Sequence, residues 1–372
     1  MSSRALEQLD RAIALEEDPY RRECWKAQRA AVAARLGMIG EAKFALAGLR
    51  TQARRFRDPL LQGWIHLADG MIDHFSTLSH SALKKFTLAK DEACNAGSKS
   101  LQSQAWAWMA SVAFNTSQFD DMAEALKQSF LLASPDDHAA LARAHVTLGN
   151  ARSYAGLHDK GLMSFGEAHR HSVAEGDTGM ISVMMCNRTR WITDGLTYDE
   201  LLGHVRLEDA QRALIDNESI VNLDRGLGNE SLGAVAPLMR GQLLVTLQRW
   251  GDALNWLDTY LERARAEGFV QNSARYAAQR AWCHWHLQNR ELALADAAVA
   301  TKCLAQPTDL ADRFVAHARL AGLFSLAGQA ERSAEHQVFS DQALREFRAE
   351  QQLLTHTLAE LEVEFQTWRR GD

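Results

Sequence analysis

The chain is expected to be all-α: an α-solenoid of about eight antiparallel helical hairpins, finished by a long C-terminal capping helix. Three observations predict this. A small residue recurs about every forty positions, apolar residues step away from it at helical spacing, and only 5 prolines interrupt 372 residues. Proline breaks helices and is scarce here, so long helices meet few obstacles. No run of alternating β-branched residues is long enough to suggest a sheet.

The recurrence starts at Ala42 in LGMIGEAKFALAGL and returns at Ala82, Ala123, Gly161, Ala253, Ala293 and Ala334. The intervals are 40, 41, 38, 92, 40 and 41 residues, and the 92 holds two periods. Such a period marks stacked supersecondary units. Each unit reads as an apolar helix, a turn with Gly, Asn, Asp or His, and a second helix with apolar residues at i, i+4 and i+7. Ala82-Phe86-Ala89, Gly161-Phe165-Ala168 and Ala253-Leu257-Tyr260 mark second helices. A small residue opens each trio because two helices cross closely there. The fifth unit, between Asp194 and Pro237, is rich in glycine and irregular over about 195–235, with a second helix expected from about Thr197 to Ile215. The organisation expected is therefore a solenoid over 1–330 and a long helix, cap or coiled coil, over 331–372.

The fourth unit carries a family pattern. Leu148-Gly149, Gly156, Gly161, Phe165 and Ala168 resemble the tetratricopeptide repeat signature, with Gly161 in place of the usual alanine, and Gly241, Trp250 and Ala253 resemble it in the sixth unit. The resemblance covers roughly residues 20–340, and the period here is about 40 where the family has 34. The longer period is similar to sensor solenoids of transcription activators and to those preceding diguanylate cyclase domains.

The composition excludes several functions. A net charge of −6 is wrong for a general polyanion binder, so no nucleic acid is expected. No apolar run approaches a membrane span, and no signal peptide opens the chain. Five separated cysteines read as free thiols, which points to a cytoplasmic protein. P-loop, GxGxxG, HExxH, GxSxG and CxxC patterns are absent from the sequence, so no enzyme and no cofactor is expected. Trp282-Cys283-His284-Trp285-His286 gathers metal-ligand types, but Cys283 and His286 with Cys303 offer too few ligands for a structural zinc site. Cys283 reads as a packing thiol.

The repeat resemblance implies that first helices line a concave groove. Aligned on the small residues, it puts Arg275, Trp282, Trp285 and His286 on that groove. The fourth unit adds Arg143 and Asn150, the third adds Trp108, and the fifth, aligned by helix start, adds Asn187, Arg188 and Trp191. Tryptophan and arginine are enriched at binding hot spots, and arginine grips carboxylates bidentately. Tryptophan filling space between long helices is the alternative. For Asn187, Arg188 and Arg190 it is internal ion pairing.

From Gln329 to Trp368 nothing interrupts the last helix. Phe347, Leu354, Leu358, Leu361, Phe365 and Trp368 form a heptad seam. The seam fits a cap over the last repeat, or a homodimer contact through Leu354, Leu358, Leu361 and Phe365. The function expected is a non-catalytic scaffold that binds a protein or peptide segment. The alternative is the sensor module of a larger signalling protein, a diguanylate cyclase or transcription activator, joined through the last helix.

Overall fold

The computed structural model describes residues 3–56, 58–77, 81–227, 233–266, 273–306 and 308–370, with the side chains of 76, 77, 224, 227 and 366–370 left out. Trp368 therefore lies outside the described side chains. Among the described residues helices are the regular structure and no strand occurs. The first nine helices are α1 (Arg4–Leu15), α2 (Pro19–Arg35), α3 (Ile39–Phe56), α4 (Pro59–Thr77), α5 (Ser81–Asn95), α6 (Lys99–Asn115), α7 (Phe119–Leu132), α8 (His138–Tyr154) and α9 (His158–Glu175). Then come α10 (Thr178–Leu201), α11 (Leu207–Leu227), α12 (Val235–Thr246), α13 (Trp250–Ala266), α14 (Ser273–His286), α15 (Arg290–Leu304), α16 (Leu310–Leu326) and α17 (Ala330–Arg370). After α1 they pair in sequence as eight hairpins. No described helix is long and apolar enough to cross a membrane.

The hairpins close as the repeat requires. Ala42, Ala82, Ala253 and Ala293 are fully buried. A Cβ on Gly161 would sit 2.4 Å from Ser153 Oγ and 3.2 Å from the Gly149 carbonyl, so a larger residue at that crossing would have to displace the Ser153 hydroxyl and press on the backbone of α8. First-helix glycines make room for second-helix side chains. A Cβ at Gly149 would lie 2.8 Å from the Phe165 ring, and one at Gly241 2.9 Å from Leu257. Two expected positions are one residue out of register. Met122 is buried where Ala123 was expected. Ser333 bonds back to the Ala321 carbonyl at 2.9 Å, while Ala334 is exposed. The fifth unit also differs: α10 runs unbroken through Gly195 to Leu201, and the turn comes at Gly203, φ 88°.

Turn chemistry is uneven. Gly37, Gly156 and Gly328 take the left-handed conformation at hairpin turns, but Ser117, Gln248 and Gln288 take it at the equivalent places with φ 53°, 58° and 65°. A side chain there costs about 1–2 kcal/mol, partly offset by the chain entropy glycine loses on folding. Ser117→Gly, Gln248→Gly and Gln288→Gly are each expected to stabilise the protein by about 0.5–1 kcal/mol, read as a higher urea midpoint. A lower midpoint would refute the strain.

The chain divides into two compact units. The first comprises Met1–Met185, Asp224–Ser231 and Leu353–Asp372, and the second Cys186–Leu223 and Leu232–Gln352. The first unit stacks the hairpins α2–α3 to α8–α9, with α4 packed on α2 and α8 on α6. Asp18 caps α2 through the Tyr20 and Arg21 amides, with Pro19 at its first position.

The end of α17 belongs to the core of the first unit. Leu354, Leu358 and Leu361 are 0%, 1% and 3% exposed in a cluster with Ala107, Ala110, Met122, Leu126 and Leu148, and Phe365 packs against it. Phe365 meets Phe130 edge-on at 5.3 Å. Glu362 pairs with Arg152 at 2.8 Å and Lys160 at 2.7 Å, and Glu364 pairs with Lys127 at 2.9 Å. This corrects the dimer expectation. The four seam side chains are occupied within their own chain, so they do not offer a face to a second copy.

Candidate functional site

The second unit gathers charge on its first helices. In α14, Arg275 is 3% exposed. It donates to Asp194 of α10 at 2.6 Å and to Asp312 of α16 at 2.9 Å. With its amide oxygen turned inward, Gln242 of α12 accepts from Arg275 at 2.7 Å. Arg190, one turn before Asp194, reaches it at 3.6 Å. A second group follows: Arg319 of α16 grips Glu200 of α10 bidentately at 2.8 and 2.6 Å, and Thr246 donates to the same carboxylate at 3.1 Å. Burial opposes the charges on Arg275 and Arg190, but the neighbouring carboxylates, Asp194 and Asp312 foremost, outweigh it and raise both pKa values. Burial, reinforced by Asp312, pushes Asp309 up to about 6. A small cavity of about 30 Å³ is lined by Arg190, Asp194, Gln242, Arg275 and Tyr276 with Val235, Leu238 and Met239.

One stripe of α14 runs on from this network. Arg275, Gln279, Trp282 and His286 follow one another at three- and four-residue steps, hence on one face. The amide of Gln279 is 0% exposed, and neither its Nε2 nor its Oε1 has a hydrogen-bond partner. Trp282 Nε1 and His286 Nε2 are buried and unpartnered as well. Buried polar groups are nearly always paired, by protein or by ordered water, and atoms of the same kind also occur at Arg35, Arg143 and His284. His286 stacks on Trp250 at 4.5 Å and meets Trp282 edge-on at 4.7 Å. Trp285 leaves this stripe and lies under Arg290, whose guanidinium carbon is 3.7 Å from its ring centre. Cys283 is fully buried, and burial pushes its thiol up to about 12.

On α10, Arg188 is exposed and Asn187 half-buried. Trp191 is half-buried, with Arg190 5.4 Å from its ring centre. Asn150 is half-buried on α8. Trp108 and Arg143 are a correction, since neither faces an open groove. Trp108 is 2% exposed, stacked on Phe86 at 5.6 Å and edged by Phe75 and His74. Arg143 is 4% exposed and lies 3.9 Å over the Trp108 ring, and burial, then Arg35, lowers its pKa to about 9. A flat ring filling the space between long first helices explains both positions.

Sequence reasoning missed Asp194, Asp312, Gln242 and the Arg319–Glu200 pair. The signal available was a set of charges inside apolar helices, as in RWITDGL and DLADRF. It also missed His145, Glu167 and His171, the one group of metal-ligand types with close-set donor atoms among the described residues.

Buried histidines are expected to make the protein acid-sensitive. Burial, then Arg143, lowers His74 to about 3, and burial lowers His145 and His317 to about 4. A folded pKa below the unfolded value of about 6.5 gives stability above that pH, lost as the pH falls toward the folded value. Asp309, raised, acts with the opposite sign below about pH 6. His74 alone is expected to cost about 2 kcal/mol between pH 6.5 and 4.5, the slope approaching about 1.4 kcal/mol per pH unit below the unfolded pKa. Urea midpoints across that range should fall steeply, and less steeply in His74→Gln; equal slopes in both would contradict it.

No family model matches the chain, and no curated protein does. Among solved structures it is similar to a Rap protein complexed with Competence and Sporulation Factor, at 12% identity over 93% of this chain and 95% of that one, TM-score 0.61. It also matches the apo form of RapI, at 11% identity over 92% of each chain, TM-score 0.48. The fold of this chain is that of the tetratricopeptide-like helical repeat proteins.

Proposed function

We propose that the protein is a non-catalytic scaffold that binds a protein or peptide segment on the first-helix face of its second unit. The observation that carries this reading is the set of half-exposed aromatic side chains on the first helices α10 and α14, Trp191, Trp282, Trp285 and His286, together with the exposed Arg188. Tryptophan and arginine are the residues most enriched at binding hot spots, and Arg188 offers a fork for a carboxylate of the bound segment. That the similar Rap protein was solved in complex with a factor supports a binding role for such a fold.

A photo-cross-linking residue placed at His286, on the stripe, tests this against one at Leu292, which is 54% exposed on α15. The stripe position is expected to capture a discrete partner from native extract, competed by unlabelled protein, and the α15 position is not. Equal capture at both would overturn the reading.

A further inference from the structure

We infer that the α8–α9 hairpin binds a divalent first-row cation, zinc in the first instance, through His145, Glu167 and His171. A ring nitrogen of each histidine and a carboxylate oxygen of Glu167 lie within 4.8 Å of one another. Glu167 and His171 are four residues apart on α9 and share a face. His145 comes from α8, and its ring is parallel to that of His171, 5.9 Å away. Its Nδ1 is buried and makes no hydrogen bond.

The present contacts already describe a cation's place. Arg170 Nη2 lies 2.8 Å from Glu167 Oε2 and 2.9 Å from His171 Nε2. A guanidinium only donates, so His171 Nε2 carries a lone pair there. The ring proton is then on Nδ1, which donates to His138 Nδ1 at 3.0 Å. That is the tautomer a metal needs, fixed by an outer hydrogen bond as in metal-ligating histidines. Arg170 has room to swing into solvent, since its side chain is 62% exposed. Zinc would take the position of Nη2 with bonds of about 2.0–2.2 Å, drawing the three ligands inward. Two imidazoles and one carboxylate suit zinc and its neighbours, not calcium or magnesium, which want oxygen ligands. A three-ligand set leaves one position open to water. This site is in the first unit and does not rest on the binding face proposed above.

The full chain, stripped with chelator and titrated with zinc by calorimetry, tests this. One strong site per chain is expected, lost in His145→Ala and in His171→Ala and retained in His169→Ala, an exposed control. If a histidine variant fails to fold, Glu167→Gln, at an exposed position, is expected to weaken the site in its place. His138→Ala, which removes the orienting bond, is expected to weaken it by about 10–100-fold. Arg170→Ala is expected to tighten it, because the competing guanidinium is gone. Cobalt in place of zinc should give the intense visible bands of a four-coordinate ion. Absence of a strong site in both the wild type and Arg170→Ala would overturn the inference, as would a site indifferent to His145→Ala and His171→Ala.

Discussion

Arg275→Ala is expected to destabilise the second unit by about 3–5 kcal/mol, the cost of breaking a buried ion pair from one side. The guanidinium holds Asp194 at 2.6 Å and Asp312 at 2.9 Å, and both carboxylates are almost wholly buried. Without it they face each other and Asp309, with Arg190 at 3.6 Å from Asp194. Replacing the carboxylates as well removes the stranded charge. Asp194→Asn and Asp312→Asn, added to Arg275→Met, are therefore expected to recover much of the loss. Urea unfolding of the single and triple variants checks both parts. A triple variant no more stable than Arg275→Met would show that the charges were not the cause.

Leu358→Ala is expected to cost about 2–5 kcal/mol, the range for a buried leucine that leaves a cavity. Leu358 is 1% exposed among Met122, Leu126 and Leu148. Because that burial is within one chain, the loss should be the same at every protein concentration. A side chain buried between copies would instead lose stability in a concentration-dependent way. Unfolding followed over a wide range of concentration separates the two, and a dependence present in the wild type but abolished in Leu358→Ala would restore the dimer.

These two sites also show where sequence legibility stops. The hairpin period was readable because a close helix crossing admits only a small residue, and Ala42, Ala82, Gly161, Ala253 and Ala293 each stand at one. It slipped by one at Ala123 and Ala334 because a methionine and a serine occupy the crossing there, and neither looks small and apolar. The seam of α17 was readable as an apolar stripe. A stripe records that a face is buried, not what buries it, so α6 to α8 could not be told from a second copy. Trp282 and His286 fell on one stripe as helical spacing requires, while Trp285 at the intermediate step turned toward Arg290. The ionic network was illegible for a different reason: Glu200 and Arg319 are 119 residues apart, and no local pattern links them. Trp108 was misplaced because groove and core positions of a first helix differ by one residue's rotation.

Arg188→Ala tests the proposed binding face most directly, because Arg188 is exposed and its removal leaves the core untouched. The variant is expected to unfold at the same urea concentration as wild type, while the partner captured at His286 binds it about tenfold more weakly, a loss of about 1.4 kcal/mol. A variant that binds the partner as tightly as wild type would contradict a partner on this face.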